Sequence, residues 1–295
     1  MNTKVSKKDL YTIGLIVLSI PYGLGYFGYG IDVQLSYKNA SKWMTNPTEI
    51  FGWKTTSLYL GHTFIGANIV IILQILSLNN LLKNKNLHLR YHTLIMLCLM
   101  TSYPMMLMNI NALRQGLAFS LFIYVLSLET YKHKRSAETF IYTILSVLSH
   151  NSILFLFLFY FMAKRLKVIP AITMIVAAKL SFEYLNISET RPMLETSLRI
   201  DVIFYVMILL SVLTVYVSDR RNNTLIKTVL YALIFLLIID LTGSHLQRFL
   251  VYLLPLFMVA FCIEVKVIQR SKLIFILTFI NLIIFPLFMS KLSYY

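Results

Sequence analysis

The sequence is poor in acid, in charge altogether and in cysteine. Of 295 residues only 12 are Asp or Glu, against 27 Lys and Arg, and charged residues make up 13% of the chain. A soluble domain carries about 25% charged residues to keep its surface in water, so this composition excludes an ordinary soluble fold. The two cysteines, Cys98 and Cys262, both lie inside apolar runs. They match no metal or redox spacing and make no disulfide framework. Several chemistries lack their motifs as well. There is no phosphate-binding Walker loop, no His-Glu-x-x-His pair, no Gly-rich dinucleotide turn and no Gly-x-Ser-x-Gly elbow. These absences argue against ATP-driven transport, zinc proteolysis and serine hydrolysis. The apolar runs also lack the several buried Asp, Glu or Lys residues that a proton-coupled carrier needs.

What is present is hydrophobic sequence in long blocks. Hydrophobic residues make up 58% of the chain and mean hydropathy is +0.73. A bilayer core is crossed by about 20 apolar residues in a helix. On that measure the spans predicted are 10–30, 58–82, 91–108, 113–130, 137–149, 151–163, 168–182, 201–217, 225–242, 246–263 and 273–290. The expected fold is therefore all-α and polytopic, a single transmembrane domain over 1–295 with about eleven helices and a cytoplasmic N-terminus. The basic start MNTKVSKKDL resembles the head of a signal peptide. No small-x-small cleavage site follows, so Leu10 to Gly30 is read as a retained first span.

Charge sets the expected orientation. The formal net charge is +15, which in a soluble protein would suggest nucleic acid. Here the basic residues sit between spans, so topology and lipid headgroups account for them and no nucleic acid is expected. With the eleven spans alternating, 18 of the 27 Lys and Arg fall inside and nine outside, a positive-inside bias. One segment decides that count. Residues 137–163 lie between KHKR at 132–135 and KRLK at 164–167. As a single crossing they would put these clusters on opposite faces and reduce the bias to 14 against 13. As a short hairpin broken at His150-Asn151-Ser152 they keep both clusters inside. Each arm would then be about 20 Å long, short of the ~30 Å hydrocarbon core, so the apex is expected to be sunk in the membrane. The longer outer segments are 31–57 and 183–200.

The unusual polar groups gather on the outer side. Arg114 stands at the outer start of the fourth span, where the helix already presents unpaired N–H groups and a partial positive charge. Arginine there suits either snorkelling or an anion held by guanidinium and backbone together. Arg248 repeats the arrangement. Ser244-His245-Leu246-Gln247 fits a capping box opening the tenth span, and Tyr252 follows Arg248 by one turn. Two such arginines favour an anionic, phosphate-bearing ligand. His150 at the hairpin apex is a costly polar group at membrane depth, suited to general base or phosphate donor. Asp32 and Glu49 are carboxylates of the first outer segment, each more simply a solvated charge but also a candidate base.

With these residues in hand, the chain resembles the EpsG-like, Wzy-type bacterial polysaccharide polymerases. NINALRQGLA at 109–118 looks like the family's N-x-x-x-R-Q-x-x-A stretch, and His150-Asn151-Ser152 like its H-x-S element. The late Arg248 with Tyr252 is a third part. Asp32, Tyr37 and Glu49 look like its acidic and aromatic first-loop pattern. The likeness runs over roughly residues 30–260. It implies a GT-C-like membrane glycosyltransferase of the bacterial cytoplasmic (inner) membrane. Such an enzyme joins undecaprenyl-diphosphate-linked oligosaccharide repeat units on the outer face, making O-antigen, capsule or exopolysaccharide. It implies no cofactor and no metal, a lipid-linked donor and acceptor, and a chain-length regulator protein as a further partner. Arg114, Gln115, Arg248, Tyr252 and Ser152 would hold the diphosphate. His150 first, then Asp32 or Glu49, would deprotonate the acceptor hydroxyl. An O-antigen ligase and a lipid-linked oligosaccharide flippase are the competing expectations. A ligase should carry a larger outer loop, and a flippase polar groups along its whole path.

Overall fold

The computed structural model describes residues 63–83, 89–100, 113–131, 136–166, 224–239 and 243–264, with isolated positions at 7, 12, 14, 16, 51, 102, 105, 108, 170 and 173. Every described element is an α-helix: α1 Thr63–Lys83, α2 Leu89–Met100, α3 Leu113–Tyr131, α4 Ser136–Ser149, α5 Ile153–Arg165, α6 Thr224–Ile239 and α7 Gly243–Glu264. Their ends follow local chemistry. α4 has Glu138 in its first turn, where a carboxylate meets the positive end of the helix dipole. α5 and α1 carry Lys164, Arg165 and Lys83 in their last turns, at the negative end. Between α4 and α5 the chain makes one tight turn. The His150 N–H still donates to the Ser146 carbonyl, and the Ile153 N–H donates to the His150 carbonyl, both at 3.2 Å. Asn151 and Ser152 fill the middle of that turn, as residues that favour turns over helix interiors do.

The helices fall into two compact units, α1 to α4 in the first and α5 to α7 in the second, divided after Ile153. In the first unit α3 is central, packed along α1 on one side and α4 on another. It is buried almost all round, with Leu117, Phe119, Phe122, Ile123 and Val125 in the core. In the second unit α6 packs along α7. The Phe235 ring of α6 meets Phe155 and Phe159 of α5 at 5.7 and 5.2 Å.

Among the described residues no helix is long and apolar enough to cross a membrane. The longest, α1 and α7, have 21 and 22 residues. α1 is interrupted by Gln74, Ser77 and Asn79, all buried, and α7 by His245, Gln247, Arg248 and Pro255. The distribution of polarity across α4 is the reverse of a water-facing helix. Phe140 and Ile141 are 65% and 54% exposed, with Ile144 on the same side, while Ser146 and Ser149 are completely buried. α5 likewise exposes Leu154, Leu158 and Phe161, a stripe at helical spacing.

Candidate functional site

The polar residues of the first unit are ordered by the way α4 lies on α3. The Ser146 hydroxyl of α4 donates to the Ala118 carbonyl of α3 at 2.7 Å. Further along, the Tyr124 hydroxyl donates to a Glu138 carboxylate oxygen at 3.2 Å, and the Tyr124 and Tyr142 rings meet edge-on at 4.7 Å. Residue numbers rise along one helix as they fall along the other, so the pair is antiparallel. Ala118 is one turn beyond Arg114, and Ser146 is one turn before His150. The same register continued by a turn sets Arg114 level with His150.

The other side of α3 fixes depth. A Cβ added to Gly116 would lie 2.8 Å from the Met108 carbonyl oxygen, 2.9 Å from Val70 Cγ1 and 3.1 Å from Gln74 Nε2. Only glycine admits so close a crossing. The Gly116 carbonyl also accepts from the Ser120 hydroxyl at 2.6 Å. Val70 and Gln74 lie near the middle of α1, so α3 begins about half-way along α1, roughly 15 Å from either end at 1.5 Å per residue.

His150 is half-buried, and its Nδ1 lies 2.7 Å from the Ser152 hydroxyl oxygen. The direction of this bond governs what the imidazole can do. When Nδ1–H donates to Ser152, Nε2 carries no hydrogen and can accept a proton. When the Ser152 hydroxyl donates to Nδ1, Nε2–H becomes a donor. One tautomer makes a base and the other a phosphate ligand.

The remaining expected residues are distributed as follows. Arg114 stands in the first turn of α3, half-buried, and Gln115 beside it is buried. Tyr252 of α7 is completely buried. Arg248 is in α7 one turn earlier, and its side chain lies outside the description, as do Asp32 and Glu49 altogether. Because α7 opens at Gly243, Ser244 falls within the helix and Arg248 in its second turn. The sequence offers two cap-forming residue types, Thr242 and Ser244, on either side of Gly243, and spacing alone cannot choose between them. The first unit thus sets Arg114, Gln115, His150 and Ser152 at one level, while Arg248 and Tyr252 belong to the second unit. Sequence reasoning passed over Gln74, Ser146 and Tyr124. The signal for the last two was their i+4 relation to His150 and to Ser120, legible only once the helix pairing is known. Among the described residues no three His, Cys, Asp or Glu side chains cluster as metal ligands do.

No family model, no characterised protein and no solved structure shows significant similarity to this chain.

Proposed function

We propose that the chain is a polytopic membrane glycosyltransferase that polymerises polyprenyl-diphosphate-linked oligosaccharide repeat units on the outer face of the bacterial cytoplasmic membrane. What supports this most is the antiparallel α3–α4 register, anchored by the Ser146–Ala118 hydrogen bond. It puts an arginine at a helix N-terminus level with a histidine at a helix break, the two kinds of group a glycosyl transfer from a diphosphate calls for. The reversed polarity of α4 supports the membrane setting. A helix in lipid turns apolar residues outward and keeps polar ones against protein, so Gln74, Ser77 and Asn79 need not prevent α1 from spanning when they are buried. The start of α3 at mid-length of α1 supports a site below the membrane surface, within reach of a ligand whose tail stays in the bilayer.

In the proposed reaction Arg114 and the first-turn N–H groups of α3 hold the diphosphate; the family resemblance alone names Arg248 and Tyr252 as further ligands. The acceptor hydroxyl oxygen attacks the anomeric carbon of the donor sugar. The bond from that carbon to the phosphate oxygen breaks, and the polyprenyl diphosphate leaves with the electron pair. Arg114 offsets the charge growing on that oxygen. The hydroxyl proton passes to His150 Nε2, which requires the tautomer in which Nδ1–H donates to Ser152. A single displacement inverts the anomeric configuration. Asp32 and Glu49 are the alternative bases.

The test is made in a polymerase-null cell complemented with this chain. Arg114→Ala and Arg248→Lys, at wild-type membrane levels, are expected to leave glycan of a single repeat unit, with polymer down at least tenfold. Wild-type polymer from both variants sinks the arginine assignment. Loss of all glycan from lipid A in the deletion strain would identify a ligase instead.

A further inference from the structure

Gln74 carries an amide with nothing to bond to in a place where polar groups are costly. It lies on α1, 1% exposed, and among the described residues neither Nε2 nor Oε1 has a hydrogen-bond partner. Its Nε2 lies 3.1 Å from where a Cβ would stand on Gly116, in the first turn of α3 and two residues beyond Arg114. A buried amide in an apolar helix contact usually finds a partner, so an unbonded one asks for a specific explanation. The Met108 carbonyl oxygen, which approaches the same position on Gly116, is an acceptor, and the nearby end of α3 supplies donors. The first turn of α3 presents N–H groups with no intrahelical acceptor, and Arg114 has only donors. The Gly116 carbonyl is taken by the Ser120 hydroxyl. The amide oxygen could accept from such N–H groups, yet it bonds to none of them.

We infer that Gln74 is a further substrate-binding residue, which spans the junction between the diphosphate and the first sugar of the lipid-linked donor. An amide is both donor and acceptor. The junction offers both complements, a phosphate oxygen to accept from Nε2 and a sugar hydroxyl to donate to Oε1. A phosphate alone would leave Oε1 unpaired, and a sugar alone would leave the donors of α3 unused. The inference rests on the polymerase function proposed above and adds the residue that recognises the sugar side of the bond that breaks.

The experiment uses the purified full-length protein in detergent, titrated with undecaprenyl diphosphate, with the same lipid diphosphate carrying its oligosaccharide repeat unit and, separately, with undecaprenol and with inorganic pyrophosphate. Affinities are measured well below the unfolding temperature, so that binding is read apart from stability. The variants are Gln74→Met, which keeps length and packing, Gln74→Leu and Arg114→Ala. Gln74→Met and Gln74→Leu are expected to bind undecaprenyl diphosphate about fivefold to tenfold more weakly than wild type. Gln74→Met should unfold at or above the wild-type temperature without lipid, because an unbonded amide has been removed. Both variants should also give shorter polymer in cells at equal membrane levels. Wild-type affinity and polymer from both, beside lost binding in Arg114→Ala, overturn the role of Gln74 and leave the polymerase function standing. No preference of the wild type for undecaprenyl diphosphate over undecaprenol overturns both. If Gln74→Met weakens binding of the bare and the sugar-bearing lipid diphosphate by the same factor, recognition is confined to the phosphate and the sugar-side contact is overturned.

Discussion

At the scale of single residues, Gly116 and Ser152 do most to fix the geometry. A methyl group at 116 would meet the Met108 carbonyl oxygen at 2.8 Å, and a backbone atom has less room to yield than a side-chain end. Gly116→Ala is therefore expected to lower stability by about 1–3 kcal/mol, the usual range for overpacking, seen as a lower unfolding temperature in detergent. A wild-type unfolding temperature would show that α1 and α3 can separate at no cost. Ser152→Ala removes the hydrogen bond at His150 Nδ1 that supports the base tautomer in the proposed reaction. A bond worth about 1 kcal/mol corresponds to a rate loss of about fivefold. Polymer yield per unit of protein should fall by that factor, while Ser152→Thr, which keeps the hydroxyl, should retain most of it. Arg114 and His150 stood out in the sequence because ionisable groups at the ends of apolar runs are conspicuous, and Ser152 because it belongs to the break beside His150. Gln74 did not, because a glutamine inside an apolar helix declares nothing until its neighbours and its lack of a partner are known.

At the scale of elements, the Ser146–Ala118 and Tyr124–Glu138 hydrogen bonds tie the α3–α4 pair near its two ends. Ser146→Ala and Tyr124→Phe remove them singly, and each is expected to cost about 1 kcal/mol. They lie too far apart to share partners, so the double variant should be additive, as measured by chemical or thermal unfolding. Cysteines at Ala118 and Ser146 should cross-link on mild oxidation, and failure to do so would refute the register. Helix positions were legible in the sequence to within a few residues where turn-forming or basic residues punctuate apolar runs. The run predicted over 113–130 corresponds to Leu113–Tyr131, and those over 137–149 and 151–163 to Ser136–Ser149 and Ile153–Arg165. Agreement is poorer for 91–108, against Leu89–Met100. There the Ser102 N–H and hydroxyl both donate to the Leu99 carbonyl, at 3.1 and 2.7 Å, and turn the chain. Such local capping by a serine competes with helix continuation and leaves little trace in hydropathy. Pairing between helices was not legible at all, since contacts such as that of the buried Ser146 hydroxyl leave no mark in hydropathy.

At the scale of the whole molecule, the expected arrangement is tested by labelling. In a variant lacking Cys98 and Cys262, single cysteines at His133 and Leu166 should react only from the cytoplasmic side. Those at Ala40 and Thr190 should react only from outside. Labelling of 133 and 166 from opposite sides would make this stretch one crossing and place Arg114 and Arg248 on different faces. Charge counting predicts this arrangement because basic clusters are fixed by insertion. The composition of the apolar runs alone leaves the number of crossings open. The exposed face of α4 offers a second check. Ile141 is exposed, and under the proposed membrane setting Ile141→Lys is expected to reduce membrane accumulation strongly, because it would put a charge against lipid.

The clamp between Ser146 and Ala118 also determines where the chain can change length. Residues 114 and 118, and likewise 146 and 150, are separated by a single turn on either side of a fixed contact. One residue inserted between 114 and 118 turns the arginine through about 100° and moves it about 1.5 Å along the axis. The same residue inserted between the two helices, at 132–135, leaves Arg114 and His150 at one level. Length variation should be tolerated in that connection and forbidden within those two turns, a pattern that a scan of single-residue insertions can map.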